Sequence, residues 1–529
     1  MTENRLVVAL ATLCLVYAVA AVTVRPSVGV DPAYSLRVYQ SMQAGASWNH
    51  VIEPDVADLS RDTSKFFAMF SPGSYLAPSV LMAAGVPLGL AAAAVSIVFT
   101  MLGLWGWYRL FLTLGYSSRE GLIACAILAA SRSVNLAFVT YLGHEVLAFA
   151  AFPWLAAAAM RLRYSRWLPV YAVVAVAVAF TAKNGVPIYF GGWLAAAAVI
   201  AIVKRDQGSP APLIAAVLLA GATMLLIHIE YDLRGWTPLA YQPAAATSLR
   251  PYVLPWSMPV LAATSWDDVF SWIFLHPSGA LIPFDYRHSM PFLGIIGIAS
   301  LAAVIVAATR TRDDRVLQLS LYSVITVGGL MTLLASGAVA SLDLSRHYRL
   351  IGYVWLALIV RWMLRARPIV AATLALLMVV PAAYGLGSFA SNWRRHYAAR
   401  TSQSERLHIT HPQLTPRMVR ALATLDRTLP AGALVVTPVP TYALEFLRTR
   451  ALPTNVVADE LWQMPKRHGR ATNLIVIVDR RGISEEKCAQ WLTWFPDYDR
   501  WERFDLDEHR FFVPAGQTIT PAWLEARLQ

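Results

Sequence analysis

The residues whose types and places could do chemistry in this chain are Asp31, the pair His144-Glu145, and four cations at Arg132, Lys183, Arg346 and Arg349. Asp31 stands just past the first long apolar run, in the stretch Val28-Gly29-Val30-Asp31-Pro32-Ala33-Tyr34. A carboxylate placed there can take a proton from a hydroxyl as a general base. It can equally cap the helix expected over 33–46, with Pro32 at the first helical position, and the two roles are compatible. Glu145 opens the fourth apolar run beside His144. An acid at the mouth of a membrane span is costly and usually has a partner, although complementarity with a helix N-terminus would place it there too. The four cations suit a phosphate, which Arg grips bidentately and Lys as a point charge. Snorkelling to lipid headgroups would account for each of them singly.

These residues need a scaffold, and composition defines its class. Of 529 residues 57% are hydrophobic and only 14% charged, with a mean hydropathy of +0.50. A soluble chain carries about 25% charged residues, so this is expected to be a polytopic α-helical membrane protein. The first apolar run, Leu6 to Val24, is too long for a signal-peptide core and reads as a retained anchor. Runs long enough to span fall near 6–24, 88–112, 119–138, 144–161, 167–183, 186–203, 213–233, 289–309, 316–340, 348–364 and 369–388, about eleven in all.

Charge sets the expected topology. Arg5, Arg109, Arg119, Arg161, Arg163, Arg166, Lys204, Arg205, Arg310, Arg312, Arg315, Arg361, Arg365 and Arg367 fall in alternate connections. Positive charge concentrates on the cytoplasmic side, so the N-terminus is expected inside. The 25–87 and 234–288 loops, the turns near 139–143 and Lys183, the 341–347 segment and the C-terminus then lie outside. Arg132, Lys183, Arg346 and Arg349 run against this trend. The net charge of +12 is dispersed, without a basic run interleaved with aromatics, so nucleic acid is not an expected partner. Topology and anionic lipid headgroups explain the charge better.

The outer segments carry their own patterns. Tyr34, Val38, Met42 and Ala46 recur at helical spacing with Arg37, Gln40 and Gln43 off that face, which predicts a helix lying along the membrane surface. Glu53, Asp55, Asp58 and Asp62 follow, then an aromatic patch broken by a turn signal, Phe66-Phe67-Ala68-Met69-Phe70-Ser71-Pro72-Gly73-Ser74-Tyr75. The 234–288 loop holds Trp236, Tyr241, Trp256, Trp266 and Trp272. Such aromatics anchor a protein at headgroup depth or offer a platform for sugar rings or a lipid chain. Tyr75, Trp256, Trp266 and His144 are accordingly candidates for contact with an acceptor or a sugar.

Domains are expected over 1–391, within the membrane, and 392–529, a small outer α/β unit. Strands are expected at 433–437, 473–478 and 510–513, the last as an edge, with helices near 415–428, 441–450 and 484–494. Nucleotide-binding glycine motifs, zinc-protease, serine-hydrolase and paired-cysteine motifs are all missing. The three cysteines, Cys14, Cys125 and Cys488, suggest neither a disulfide framework nor a metal cluster.

The order of these features resembles the GT-C superfamily of membrane glycosyltransferases, in the bacterial branch related to protein mannosyltransferases and the lipid A aminoarabinose transferase. Asp31 follows the first span, then come the surface helix and Phe70-Ser71-Pro72-Gly73-Ser74-Tyr75. Glu145 opens the fourth span. Thr181-Ala182-Lys183-Asn184-Gly185-Val186-Pro187 resembles the family's Thr-Lys-Gly-x-Pro turn, and Arg346-His347-Tyr348-Arg349 its Arg-Tyr before a late span. The chain departs from the family in having Asp31-Pro32 for an Asp-Glu doublet, Asn184 between Lys and Gly, and Pro72-Gly73 for a Pro-Pro pair. The resemblance implies an inverting transferase using a polyprenyl-phosphate-linked sugar at the outer face of the bacterial inner membrane, with a lipid, glycan or protein acceptor. Asp31 would be the general base. Lys183, Arg132, Arg346 and Arg349 would stabilise the leaving phosphate, and Glu145 would orient the acceptor or help hold a divalent cation. Two such carboxylates could bind Mg²⁺ or Mn²⁺, though no spacing demands a metal.

A non-catalytic transporter or flippase of a lipid-linked intermediate is the alternative. It should carry ionisable groups near mid-membrane or paired broken helices. Here the span centres are mostly Ala, Val, Leu and Ile, and the charges cluster toward the ends.

Overall fold

A chain this apolar must satisfy its backbone inside lipid, and the helix does so within one segment. In the computed structural model the described residues are 2–55, 58–204, 209–235, 250–273, 286–311, 313–335, 345–430, 432–453, 473–480, 500–516 and 520–528. Each expected apolar run falls on a helix wherever it is described. Among the described residues six helices are long and apolar enough to cross a membrane: Glu3–Thr23, Leu88–Thr113, Val186–Lys204, Ala211–Asp232, Leu293–Arg310 and Pro368–Thr401. A bent pair, Ser118–Ala130 with Arg132–Phe138, makes a seventh if read as one span broken by 66°. The protein is a multi-pass membrane protein. The runs expected at 144–161, 167–183, 316–340 and 348–364 fall on helices outside those six: His144–Arg161, Leu168–Ala182, Asp314–Ala335, and Arg349–Tyr353 followed by Leu356–Arg365.

The helices pack around one apolar core. Trp107, Phe152, Trp193 and Tyr322 are wholly buried, with Phe152 6.0 Å from Tyr322 and Trp193 5.2 Å from it, ring to ring. Such aromatic contacts add to the burial of large side chains.

The segment after the first apolar helix begins with two residues of strand, Ser27–Val28, paired in parallel with Thr140–Tyr141. The Val30–Gln43 helix follows, then an antiparallel hairpin, His50–Asp55 with Asp58–Phe66. The helix is not laid on a membrane surface. Ala33, Tyr34, Leu36, Arg37 and Val38 are all buried. The reason lies in its polar face: Arg37 pairs with Glu53 at 2.8 Å and donates to the Ala451 carbonyl at 2.8 Å, and Gln40 donates to the Leu444 carbonyl at 3.0 Å. A face that looks water-loving in sequence is satisfied by a distant part of the chain.

That distant part is a five-stranded sheet. Its order is Arg450–Pro453, Leu434–Thr437, Leu474–Asp479, His509–Val513, Glu502–Leu506. The first three strands are parallel and the last two antiparallel. His509–Val513, expected at an edge, is interior, and Glu502–Leu506 covers its flank. The Pro416–Thr428 helix forms as expected, with Thr415 Oγ1 accepting from the Met418 amide at 3.1 Å. The helix expected near 441–450 is one turn, Pro440–Ala443, and the one near 484–494 lies outside the described residues. Position 391 falls inside the Pro368–Ala398 helix. Val436 and Val476 of the sheet share a core with Val38, Val51 and Leu88, so apolar contact runs unbroken from the Val30–Gln43 helix to the sheet.

Candidate active site

Four of the singled-out residues meet at one end of the helices. Arg346 Nη1 lies 2.7 Å from Asp31 Oδ2, and its Nε lies 3.9 Å from Glu145 Oε1. Lys183 Nζ lies 2.7 Å from the same Glu145 oxygen. The result is a chain of alternating charge: Asp31, Arg346, Glu145, Lys183. A small cavity, partly open to solvent, is lined by Glu145, Lys183, Tyr189, Arg346, Arg349 and Tyr353, with Thr100, Ser133 and Phe149 among its other walls. Asp31 does not line it and is connected to it only by the ion pair with Arg346.

Local structure explains the convergence. The Gly29 amide donates to the Tyr141 carbonyl at 3.0 Å, which extends the short parallel ladder and delivers the next residues toward Glu145. The helix begins at Val30, with Gly29 as its N-cap and no side-chain cap bond. Asp31 is therefore within the first turn and not its cap, and its carboxylate is free to face Arg346. Gly143 has φ +55° and sits against Pro32 and Ser74, where a Cβ would come within 3.0 Å of both. Only glycine takes that conformation at no steric cost, and the turn then sets Glu145 in the first turn of the His144–Arg161 helix.

Lys183 is the residue following the Leu168–Ala182 helix. Behind it, Gly73 packs so closely that a Cβ would lie 2.1 Å from the Thr181 carbonyl. Pro72-Gly73 stands where a Pro-Pro pair was the family expectation, and this contact has no room for a second ring. Arg346 belongs to the Ser345–His347 turn, which is held by a hydrogen bond from the Tyr189 hydroxyl to the His347 carbonyl. Among the described residues the enclosed Nε–H groups of Arg346 and Arg349 have no hydrogen-bond acceptor.

The remaining candidates are placed elsewhere or act differently. Arg132 binds Asp268 at 2.9 Å and Ser388 at 3.1 Å and does not line the cavity. Arg349 does, but it also faces Asp267 at 3.6 Å and Asp268 at 4.0 Å. Those two buried acids were missed. They form a Trp-Asp-Asp step at the start of the Trp266–Ile273 helix, a doublet visible in sequence but without a partner nearby. His144 is buried, donates to the Ser71 carbonyl at 3.3 Å, and packs 4.8 Å from the Phe70 ring. Tyr75 is buried, and its hydroxyl donates to Asn49 Oδ1 at 2.9 Å. Asn49 in turn donates to the Phe67 carbonyl and to Tyr231, which ties the aromatic turn to the spans. Trp256 packs against the helical core, and Trp266 Nε1 donates to the Leu377 carbonyl at 2.9 Å.

Asp31 and Glu145 do not fit a divalent cation as they stand. Both are already neutralised by fixed cations, and among the described residues no group of three or more His, Cys, Asp or Glu converges. Mg²⁺ asks for about six oxygen ligands in near-octahedral array. The arrangement instead offers a base, three cations and a cavity with hydroxyl walls, including Ser133 and Tyr353 hydrogen-bonded to each other at 2.8 Å.

No protein-family model and no curated protein sequence matches the chain. Among solved structures it is similar to ArnT from Cupriavidus metallidurans bound to undecaprenyl phosphate, at 13% identity over 97% of this chain and 98% of that one, with a TM-score of 0.45. It is also similar to the Archaeoglobus fulgidus oligosaccharyltransferase in the apo form, at 12% identity over 97% of this chain and 75% of that one, with a TM-score of 0.48. A third likeness is to the arabinofuranosyltransferase AftD from Mycobacteria, at 11% identity over 98% of this chain and 40% of that one, with a TM-score of 0.42.

Proposed function

We propose that this protein transfers a sugar from a polyprenyl-phosphate-linked donor to an envelope acceptor, with inversion, at the outer face of the bacterial plasma membrane. The observation that carries the reading is one cavity at the end of a bundle of apolar helices, with Glu145, Lys183, Arg346 and Arg349 in its wall and Asp31 ion-paired to Arg346. The order of motifs along the sequence points to the same chemistry. About eleven spans, an inner N-terminus and an outer C-terminal α/β unit complete the proposal and follow the charge alternation of the loops.

Asp31 takes the proton of an acceptor hydroxyl as its oxygen attacks the anomeric carbon. The bond from that carbon to the phosphate oxygen breaks, and its electron pair leaves on the lipid phosphate. Lys183 and the unfilled Nε–H groups of Arg346 and Arg349 stabilise the charge that gathers there. Glu145 holds Lys183 and Arg346 in place and orients the acceptor.

The test uses the purified chain in liposomes holding a panel of polyprenyl-phosphate sugars, with release of polyprenyl phosphate as the signal. Asp31→Asn should lower release at least about 100-fold, the range of general-base catalysis, with an unchanged unfolding temperature. Transfer at the wild-type rate in a folded Asp31→Asn protein would sink the assignment.

A further inference from the structure

The charge cluster at the cavity is electrically balanced. Asp31 and Glu145 bring two negative charges, and Lys183 and Arg346 bring two positive ones. Arg346 fills the space between the acids, with one nitrogen 2.7 Å from Asp31 and another 3.9 Å from Glu145. Lys183 holds the Glu145 oxygen that faces Arg346. A divalent cation bridging the same carboxylates would meet two fixed cations at close range, and its double charge makes the repulsion from each of them twice that between two unit charges. The guanidinium cannot shed its proton to make way.

We propose that Arg346 is a built-in counter-ion occupying the place of a divalent metal between Asp31 and Glu145, so that the resting site binds neither Mg²⁺ nor Mn²⁺. The idea rests on the transferase reading for where the reacting atoms lie, but not for the charge balance. Arg346 bonds Asp31 through Nη1 and faces Glu145 with Nε at 3.9 Å, beyond hydrogen-bond reach. One side chain thereby links the two carboxylates.

The test reads metal binding and needs no substrate. Mn²⁺ is titrated into the full-length protein in nanodiscs, and the free ion is followed by its paramagnetic resonance signal. The wild type should retain no stoichiometric Mn²⁺ up to millimolar concentration. Arg346→Met removes the charge and keeps the bulk, and it should create one Mn²⁺ site that Asp31→Asn abolishes. Arg346→Lys keeps the charge and should bind none. A wild-type protein that holds one Mn²⁺ per chain, released by Asp31→Asn, overturns the proposal, and this arm does not depend on any variant folding. So does an Arg346→Met protein with a wild-type unfolding temperature that gains no site. Absence of sugar transfer would refute the functional reading and leave these results standing.

Discussion

Arg346 and Asp31 form an ion pair of 2.7 Å between segments far apart in the sequence, with both side chains about a third exposed. A half-exposed pair of this kind contributes about 1 kcal/mol or less. Its removal should therefore separate function from stability. Asp31→Ala is expected to shift thermal unfolding in detergent by no more than that amount while abolishing transfer; a large stability loss would mark Asp31 as structural.

Glu145 and Lys183 behave differently because they are more enclosed, at 22% and 14% side-chain exposure. Taking away Glu145 leaves Lys183 an uncompensated charge, at a cost of about 3–5 kcal/mol, whereas without Lys183 the Glu145 carboxylate still faces Arg346 at 3.9 Å. Glu145→Gln should destabilise by that order and Lys183→Met by less. The double variant should recover most of the loss, as a double-mutant cycle would show, yet remain without transfer.

Gly73→Ala puts a methyl group 2.1 Å from the Thr181 carbonyl. Overpacking of this kind costs about 1–3 kcal/mol and should displace Lys183. Gly221 has nothing within 4 Å of its would-be Cβ, so Gly221→Ala, in a helix, should be neutral or stabilising by up to about 1 kcal/mol. Unfolding temperatures of the two variants should move in opposite directions or leave the second unmoved.

Asp426 gives the acid limb of the stability curve a named contributor. Burial acts to raise its pKa, but hydrogen bonds from Arg406, Thr449 and Arg448 outweigh burial and hold it below the ordinary carboxylate value. A carboxyl depressed in the folded state adds stability that is present above its unfolded pKa, about 3.9, and is lost as pH falls through the folded value. Asp426→Asn should lose about 1.5–3 kcal/mol at neutral pH, the worth of hydrogen bonds to a charged group. Its deficit against the wild type should shrink below about pH 4, as measured by unfolding at a series of pH values.

Membrane orientation is open to labelling. In a cysteine-free background, Trp167→Cys, at an exposed position beside Arg166, should react with an impermeant thiol reagent only after the membrane is opened. Leu447→Cys, exposed near the sheet, should react in intact spheroplasts. The reverse pattern would invert the topology.

Much of the site was legible because charges at the ends of apolar runs are conspicuous: Asp31, Glu145, Lys183 and Arg346 each stand out in a chain with so few ions. What joins Arg132 and Arg349 was not legible. Asp268 reaches Arg132 across 136 residues, and both acids reach Arg349 from a different helix; no local periodicity records such a meeting. The Val30–Gln43 helix was misread as lying on a membrane for a related cause. Its amphipathic pattern was real, but the polar face answers to carbonyls at 444 and 451 in place of water. His509–Val513 was taken for an edge by its place in the chain, whereas strand order follows from packing, and Phe511 and Phe512 are buried on both faces.

The bonds from Arg37 to residue 451 and from Gln40 to residue 444 span 414 and 404 positions of sequence, and this sets a timetable for assembly. Synthesis delivers the N-terminal helices first, and the segment bearing Asp31 emerges while its partners are still unmade. Contacts this distant in sequence form slowly because the loop must close before they reward it. The helix that carries Asp31 consequently waits for almost the whole chain, and in an unfinished nascent protein its buried face and its polar partners are still unmade.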